Sequence, residues 1–88
     1  MPCFVYVLAS KVGDDVRTYV GWTVDVDRRL KQHNDGSGAK STRGRQWTVL
    51  HTESFKTRGE AMSREWRLKR DRAFRKRLAA NAPLPGQD

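Results

Sequence analysis

The fold is decided by two short segments near the start of the chain, Cys3-Phe4-Val5-Tyr6-Val7-Leu8-Ala9 and Arg17-Thr18-Tyr19-Val20. Both are rich in β-branched and aromatic residues, which is typical of strands, and the unbroken apolar character of the first predicts a strand buried on both faces. The stretch between them contains Gly13-Asp14, a turn signal. We therefore predict two antiparallel strands, the second of which ends at Gly21.

The rest of the chain predicts one more strand and two helical segments. Apolar residues recur at helical spacing between Val24 and Asn34, and Thr23 or Asp25 can cap the start of that helix. A third strand is predicted over 47–55, with alternate residues on one side, namely Trp47, Val49, His51 and Phe55. Residues 58–80 are predicted to be helical with a break near Asp71. The order β-β-α-β-α(-α) indicates an α+β fold, a small three-stranded, mainly antiparallel sheet flanked by helices.

The length of the chain limits its domain organisation. With 88 residues it can form one domain, which we place at residues 1–80, and residues 81–88, with two prolines, are predicted to be a disordered tail. The longest apolar run is far too short to span a membrane, so no membrane partner is expected. The single cysteine, Cys3, cannot form an internal disulfide, which favours a cytoplasmic location.

The charge of the chain is strongly positive and uneven. The net charge is +8, of which residues 1–55 contribute +2 and residues 56–88 contribute +6. Such a balance indicates a polyanionic partner, most commonly nucleic acid, although a solvated basic helix is the alternative. The basic residues that we predict to contact nucleic acid lie in the glycine-containing loop and on the second helical segment: Lys40, Arg43, Arg45, Lys69 and Arg72.

Two polar residues lie beside the apolar stripe of the first helix. Arg29 and His33 are one turn apart and flank the stripe formed by Val26 and Leu30. A helix that served packing alone would favour apolar residues there. The alternative for Arg29 is that its aliphatic stem lies at the edge of the stripe and its charged end reaches water.

A carboxylate falls within the apolar arc of the second helical segment. That arc is predicted to contain Ala61, Met62, Trp66, Leu68 and Ala73, and Glu65 projects within it. An unpaired buried charge is costly, so Glu65 needs a cation, a hydrogen-bond network or a metal. The alternative is an ordinary i,i+4 ion pair with Lys69.

Two tyrosines and a glycine complete the set of candidate site residues. Tyr6 lies in the middle of the first strand and Tyr19 near the end of the second. Gly21 has no side chain, so a ligand or a backbone can approach closely. We therefore count Gly21 among the candidate nucleic-acid-binding residues.

These residues together resemble the GIY-YIG nuclease family. Phe4-Val5-Tyr6-Val7-Leu8 followed by Tyr19-Val20-Gly21 is similar to the paired family signature, although Phe4-Val5-Tyr6 replaces Gly-Ile-Tyr. The family pattern then places an arginine ten residues after the second tyrosine, a histidine one helical turn later and a glutamate on a later helix. Those positions are Arg29, His33 and Glu65 here. The resemblance covers roughly residues 3–78 and is strongest to small members of the family and to the nuclease subunit of structure-specific endonucleases.

The resemblance implies an endonuclease that hydrolyses phosphodiester bonds, in structured or damaged DNA. The implied catalytic residues are Tyr6, Tyr19, Arg29, His33 and Glu65. Glu65 would hold one divalent metal ion, Mg²⁺ or Mn²⁺, and Arg29 would hold a phosphate oxygen. One tyrosine would take the proton of the attacking water; we favour Tyr6, although the sequence does not separate the two.

A different class of function also fits the sequence. The chain could be a nucleic-acid-binding module with weak or no cleavage activity, acting with a protein partner that supplies specificity. Metal-dependent cleavage that disappears in Glu65→Ala would separate an enzyme from such a module.

Overall fold

A computed structural model of the chain describes residues 1–81. The strands are β1 (Cys3–Val12), β2 (Asp15–Thr23) and β3 (Thr48–Phe55), and the helices are α1 (Val26–Asp35), α2 (Arg58–Arg70) and α3 (Arg72–Asn81). The strands form one antiparallel sheet in the order β2-β1-β3. The predicted α+β class and element order are confirmed. Of the tail predicted for 81–88, Asn81 instead ends α3, and residues 82–88 lie outside the described residues.

The first two strands are longer than the sequence pattern predicts. They are joined by the two-residue turn Gly13-Asp14, and pairing continues to the pair of Val12 and Asp15. Gly13 has a φ of 57°, which glycine adopts readily at the first central position of a tight hairpin turn. Polar residues on either side of this turn therefore extend the ladder beyond the apolar segments.

The sheet is the middle layer of the molecule, with helices on both faces. Side chains alternate along a strand, so Val5 and Val7 of β1 pack with Ala61 and Leu68 of α2 on one face. On the other face Tyr6 and Leu8 pack with Leu30 of α1. The prediction that β1 is buried on both faces is confirmed.

A bulge in β3 overturns the predicted facing of its side chains. The register shifts because Val7 pairs with His51 whereas Leu8 pairs with Val49, which leaves Leu50 as an extra residue. Val49 therefore packs with the α1-side cluster. The imidazole of His51 lies on the opposite face, 5.4 Å from the ring of Phe74 in α3.

The helix break predicted near Asp71 is confirmed, because α2 ends at Arg70 and α3 begins at Arg72. The predicted apolar arc of α2 is wrong in part. Ala61 and Leu68 are fully buried, whereas Met62 and Trp66 are 47% and 58% exposed. The buried side of α2 is thus narrower than its apolar composition indicates. Within residues 1–81 no helix has the length and apolar character needed to cross a membrane.

Candidate active site

The hydroxyl group of Tyr6 lies at the centre of the candidate site. It is 2.9 Å from Nε2 of His33 on α1, and both side chains are fully buried. The ring of Tyr19, from the neighbouring strand β2, is 4.8 Å from the His33 ring and 6.4 Å from the Tyr6 ring. Residues from two strands and one helix therefore converge around one phenol.

Gly21 makes room for that phenol. Gly21 is the cross-strand partner of Tyr6, and a Cβ atom at this position would lie 2.4 Å from the Tyr6 oxygen and 2.6 Å from Cζ. Such distances are well below van der Waals contact. The close approach that the sequence predicted at Gly21 is therefore made by Tyr6, and contact of nucleic acid with this glycine stays a prediction.

The loop after α1 positions His33. Thr42 lies at the end of a short 3₁₀ turn, Lys40–Thr42, and its Oγ1 is 2.8 Å from Nδ1 of His33. The same hydroxyl donates its hydrogen to the carbonyl oxygen of Ala39 at 2.7 Å. Because a hydroxyl has one hydrogen, Thr42 accepts from His33, so Nδ1 carries the imidazole proton and Nε2 accepts from Tyr6. A Cβ on Gly38 would be 2.6 Å from Nδ1, so this loop also needs a glycine.

The ionisation of the two hydrogen-bonded groups agrees with this assignment. Burial raises the pKa of Tyr6 to about 12, and the nearby Arg29 guanidinium opposes that rise. Burial, with a smaller contribution from the charge of Arg29, lowers the pKa of His33 below its usual value. At neutral pH the pair is therefore a neutral phenol that donates to a neutral imidazole.

Arg29 reaches the site from α1, whose ends are fixed by local signals. The helix begins after Asp25, whose carboxylate accepts a hydrogen bond from the Arg28 amide at 3.1 Å. It ends at Asp35, and the next residue, Gly36, has a φ of 87°. Nη1 of Arg29 donates to Oε1 of Gln32 at 2.9 Å. The guanidinium group is half-buried and remains close enough to change the pKa of both Tyr6 and His33.

Glu65 lies on α2, which packs on the opposite face of the sheet from α1. Arg64 donates two hydrogen bonds to Glu53 of β3, at 2.9 and 3.1 Å, and thereby holds α2 against the sheet. The guanidinium of Arg64 also lowers the pKa of the Glu53 carboxyl. The Glu65 side chain is 21% exposed, and its charge contributes to raising the pKa of Tyr6. Its carboxylate is 3.8 Å from Nζ of Lys69, so the predicted i,i+4 contact is present at a loose distance.

A basic cavity adjoins Arg29. Its volume is about 420 Å³, and Arg28, Arg29, Arg58 and Trp22 contribute to its lining. The guanidinium of Arg58 lies 5.5 Å from the centre of the Trp22 ring. The sequence analysis missed Arg58 and Trp22, because the contact joins β2 to the start of α2. Only the position of Trp22 directly after Gly21 could have drawn attention to it.

The basic residues predicted to bind nucleic acid fall into three groups: exposed surface residues, an exposed residue that lines a cavity, and the half-buried Arg45. Lys40, Arg43 and Lys69 are exposed on the surface. Arg72 is also exposed, and it lines a separate cavity of about 590 Å³ that reaches Asp14 and Asp15 at the hairpin turn.

Arg45 forms several hydrogen bonds within the protein. It donates to the side chain and carbonyl oxygen of Ser10, both at 3.1 Å, and to the carboxylate and carbonyl oxygen of Asp15, at 2.9 and 3.0 Å. Its side chain is 12% exposed. Arg45 therefore ties the loop after α1 to the β1–β2 hairpin, and its contact with nucleic acid stays a prediction.

The arrangement of potential metal ligands bears on the kind of metal site that the chain can form. Among residues 1–81, no three His, Cys, Asp or Glu side chains group together as a metal site. A partly exposed lone carboxylate such as Glu65 fits Mg²⁺, which is commonly bound through one or two carboxylates, water and substrate phosphate.

Comparison with known proteins identifies the family of this chain. A family model described as the GIY-YIG catalytic domain matches residues 2–78. A UPF0213 protein of Halobacterium salinarum is 52% identical over 66 residues, covering 74% of this chain and 82% of that protein. A UPF0213 protein of Natronomonas pharaonis is 44% identical over 80 residues, covering 89% and 91%.

One similar protein has a solved structure. The solution NMR structure of a UPF0213 protein from Bacillus halodurans is 39% identical, covers 91% of this chain and 84% of its own, and has a TM-score of 0.49. The names of these relatives state no activity and no substrate. Because the family match spans most of its length, the chain belongs to the GIY-YIG family.

Proposed function

We propose that this protein is a metal-dependent endonuclease that hydrolyses phosphodiester bonds in structured or damaged DNA. The observation that carries the proposal is the convergence of groups from three separate elements. Tyr6 of β1, Tyr19 of β2 and His33 of α1 are in mutual contact, and the half-buried guanidinium of Arg29 lies one helical turn from His33 on α1. Packing alone does not require a guanidinium beside a hydrogen-bonded phenol and imidazole, whereas phosphodiester hydrolysis uses all three groups.

Arg29 supplies the positive charge for the reacting phosphate. Its guanidinium group presents several donors in a fixed plane, which suits a non-bridging phosphate oxygen. Arg28 and Arg58 extend the positive lining of the adjoining cavity, where they can hold the neighbouring phosphates of the same strand. Contacts of this kind provide affinity and register but no base specificity.

Glu65 is the residue that would hold a divalent cation, Mg²⁺ or Mn²⁺. When bound, the cation supplies charge stabilisation to the phosphoryl group and the leaving oxygen. Lys69 lies near the same carboxylate, with its Nζ 3.8 Å from Oε1 of Glu65. No second carboxylate is needed for this assignment.

The burial of Tyr6 favours Tyr19 as the phenol that meets the attacking water. Tyr6 is 1% exposed, donates its hydrogen to His33 and has a pKa raised to about 12. Tyr19 is half-buried at the edge strand and stacks on the same imidazole. In this reaction the water oxygen bonds to phosphorus, the water proton passes to the Tyr19 oxygen while the Tyr19 proton passes to solvent, and the bond from phosphorus to the leaving oxygen breaks as that oxygen takes a proton from solvent. This reverses our preference from the sequence, which was Tyr6.

Cleavage of a panel of substrates tests the proposal. Branched, single-stranded and damaged DNA, together with RNA, are incubated with the full chain in Mn²⁺ or Mg²⁺. We expect cleavage of at least one DNA, reduced about 100-fold or more in Glu65→Gln and in Arg29→Ala.

Glu60→Gln is the matched control. Glu60 is exposed on the same helix and takes part in its N-terminal capping box with Thr57, a role that glutamine also performs. Wild-type rates in Glu65→Gln would refute the metal-binding role of Glu65, whereas salt-sensitive binding with no cleavage of any substrate would refute the enzyme and favour a binding module.

A further inference from the structure

The outer face of α2 carries an aromatic and basic surface that the proposed chemistry does not use. Trp66 follows Glu65 directly and is 58% exposed, and Met62, one turn earlier, is 47% exposed. Residues at spacing i,i+4 are neighbours on a helix, so the two side chains form one apolar patch. We name this set, together with Lys69 and Arg70, the α2 platform.

The indole of Trp66 is held in place on this surface. The guanidinium of Arg70 lies 3.7 Å from the centre of the indole ring, and its Nη1 donates to the carbonyl oxygen of Trp66 at 3.1 Å. A cation over one face of the ring fixes its orientation. An amphipathic helix that served only to cover the sheet would not need a large exposed aromatic residue held in this way.

The charge around the indole selects the kind of partner. Glu65 is the only acidic residue between positions 61 and 70, whereas Arg64, Arg67, Lys69 and Arg70 are basic. Aromatic side chains interleaved with cations bind single-stranded nucleic acid, because each base offers a flat face for stacking and each phosphate a negative charge. In an intact duplex those faces are covered by neighbouring base pairs.

We propose that the α2 platform stacks an unpaired nucleotide next to the scissile phosphate, so that the substrate is DNA with a single-stranded segment at the cleavage site. This inference rests on the proposed function for its location beside Glu65. It narrows the substrate class to branched or single-stranded DNA, since a continuous duplex has no free base face to offer Trp66.

Fluorescence of Trp66 tests the contact without cleavage. The chain has three tryptophans, and Trp47 is only 6% exposed. A Trp22→Phe variant therefore leaves Trp66 as the exposed reporter. In EDTA, an oligothymidylate of about 12 nucleotides should quench its fluorescence, whereas a relaxed, covalently closed circular duplex at the same nucleotide concentration should not.

Affinity measurements on variants of the full chain give the second readout. Trp66→Ala should weaken binding of the oligothymidylate about tenfold, while Trp66→Phe, which keeps a stacking ring, should remain close to wild type. Binding of the circular duplex should change less than about twofold. Val12→Ala is the matched control, because Val12 is an exposed apolar residue, 42% exposed, on the β1–β2 hairpin, and it should alter neither affinity.

The outcomes separate this inference from the proposed function. Equal loss of single-strand and duplex affinity in Trp66→Ala, unchanged single-strand affinity, or no quenching would each overturn the platform even if the protein cleaves DNA. Quenching with selective loss of single-strand affinity would support it even if no substrate is cleaved, in which case the failure is that of the nuclease proposal.

Discussion

Replacing Gly21 by alanine is the sharpest test of the site geometry. The added methyl carbon would lie 2.4 Å from the oxygen and 2.6 Å from Cζ of Tyr6, about 1 Å closer than carbon contacts normally allow. Tyr6 is enclosed on all sides, so it can yield only by straining its surroundings or by leaving Nε2 of His33. Overpacking costs about 1–3 kcal/mol, and a buried imidazole nitrogen left without its partner costs about 1–3 kcal/mol.

We therefore expect Gly21→Ala to lower the free energy of unfolding by about 2–4 kcal/mol. Urea denaturation followed by circular dichroism measures this change. Gly59→Ala is the matched control, because a Cβ there meets no atom within 4 Å and Gly59 lies within α2, so alanine should stabilise the protein by about 0.5–1 kcal/mol.

A second variant identifies the contact responsible. In a Tyr6→Phe background the tyrosine oxygen, which is the atom nearest to the added methyl carbon, is absent. The loss of stability caused by Gly21→Ala should therefore shrink by about 1 kcal/mol or more. A loss below about 0.5 kcal/mol for Gly21→Ala alone, or equal penalties in both backgrounds, would refute the argument that Gly21 exists to admit the Tyr6 hydroxyl.

Three further variants test the His33 tautomer, the raised pKa of Tyr6 and the hydrogen bonds of Arg45. Thr42→Val should remove the acceptor for Nδ1 of His33 and lower the free energy of unfolding by about 1–3 kcal/mol. Nitrogen NMR of His33 should show loss of the Nδ1-protonated tautomer in Thr42→Val and its return in Thr42→Ser. An unchanged tautomer in Thr42→Val would contradict the assignment. Because the pKa of Tyr6 is raised from 10.0 to about 12 in the folded state, the unfolded chain loses this proton first, so stability should fall between pH 10 and 12 by at most about 2.7 kcal/mol. Tyr6→Phe should lack that part of the decline in alkaline urea titrations, and an identical decline in both proteins would count against the raised pKa. Arg45→Met should lower the free energy of unfolding by about 2–4 kcal/mol because it leaves Asp15 and Ser10 without their partner. The salt dependence of DNA binding should stay close to that of the wild type. A reduction of about 1 in the slope of log affinity against log salt concentration would show instead that Arg45 contacts DNA.

The amino-acid sequence by itself determined the elements and their order. Continuous apolar runs, the Gly13-Asp14 turn and the change to helical spacing after Val24 are local features, and the local backbone follows them directly. The resemblance to a known family then singled out Tyr6, Tyr19, Arg29, His33 and Glu65 as a set. The structure brings Tyr6, Tyr19 and His33 of that set into contact.

Only the tertiary structure decided how the candidate site residues are positioned and which of their neighbours face solvent. The bulge at Leu50, the contact of Thr42 with His33 and the tie from Arg45 to Ser10 each depend on partners that meet through folding, the last across 35 positions of the chain. Periodicity reports the apolar content of a helix face but not the width of the surface against which it packs, so Trp66 was expected inside and is found outside. Long-range packing, which local patterns do not encode, therefore settles the fine geometry of the site and the surface beside it.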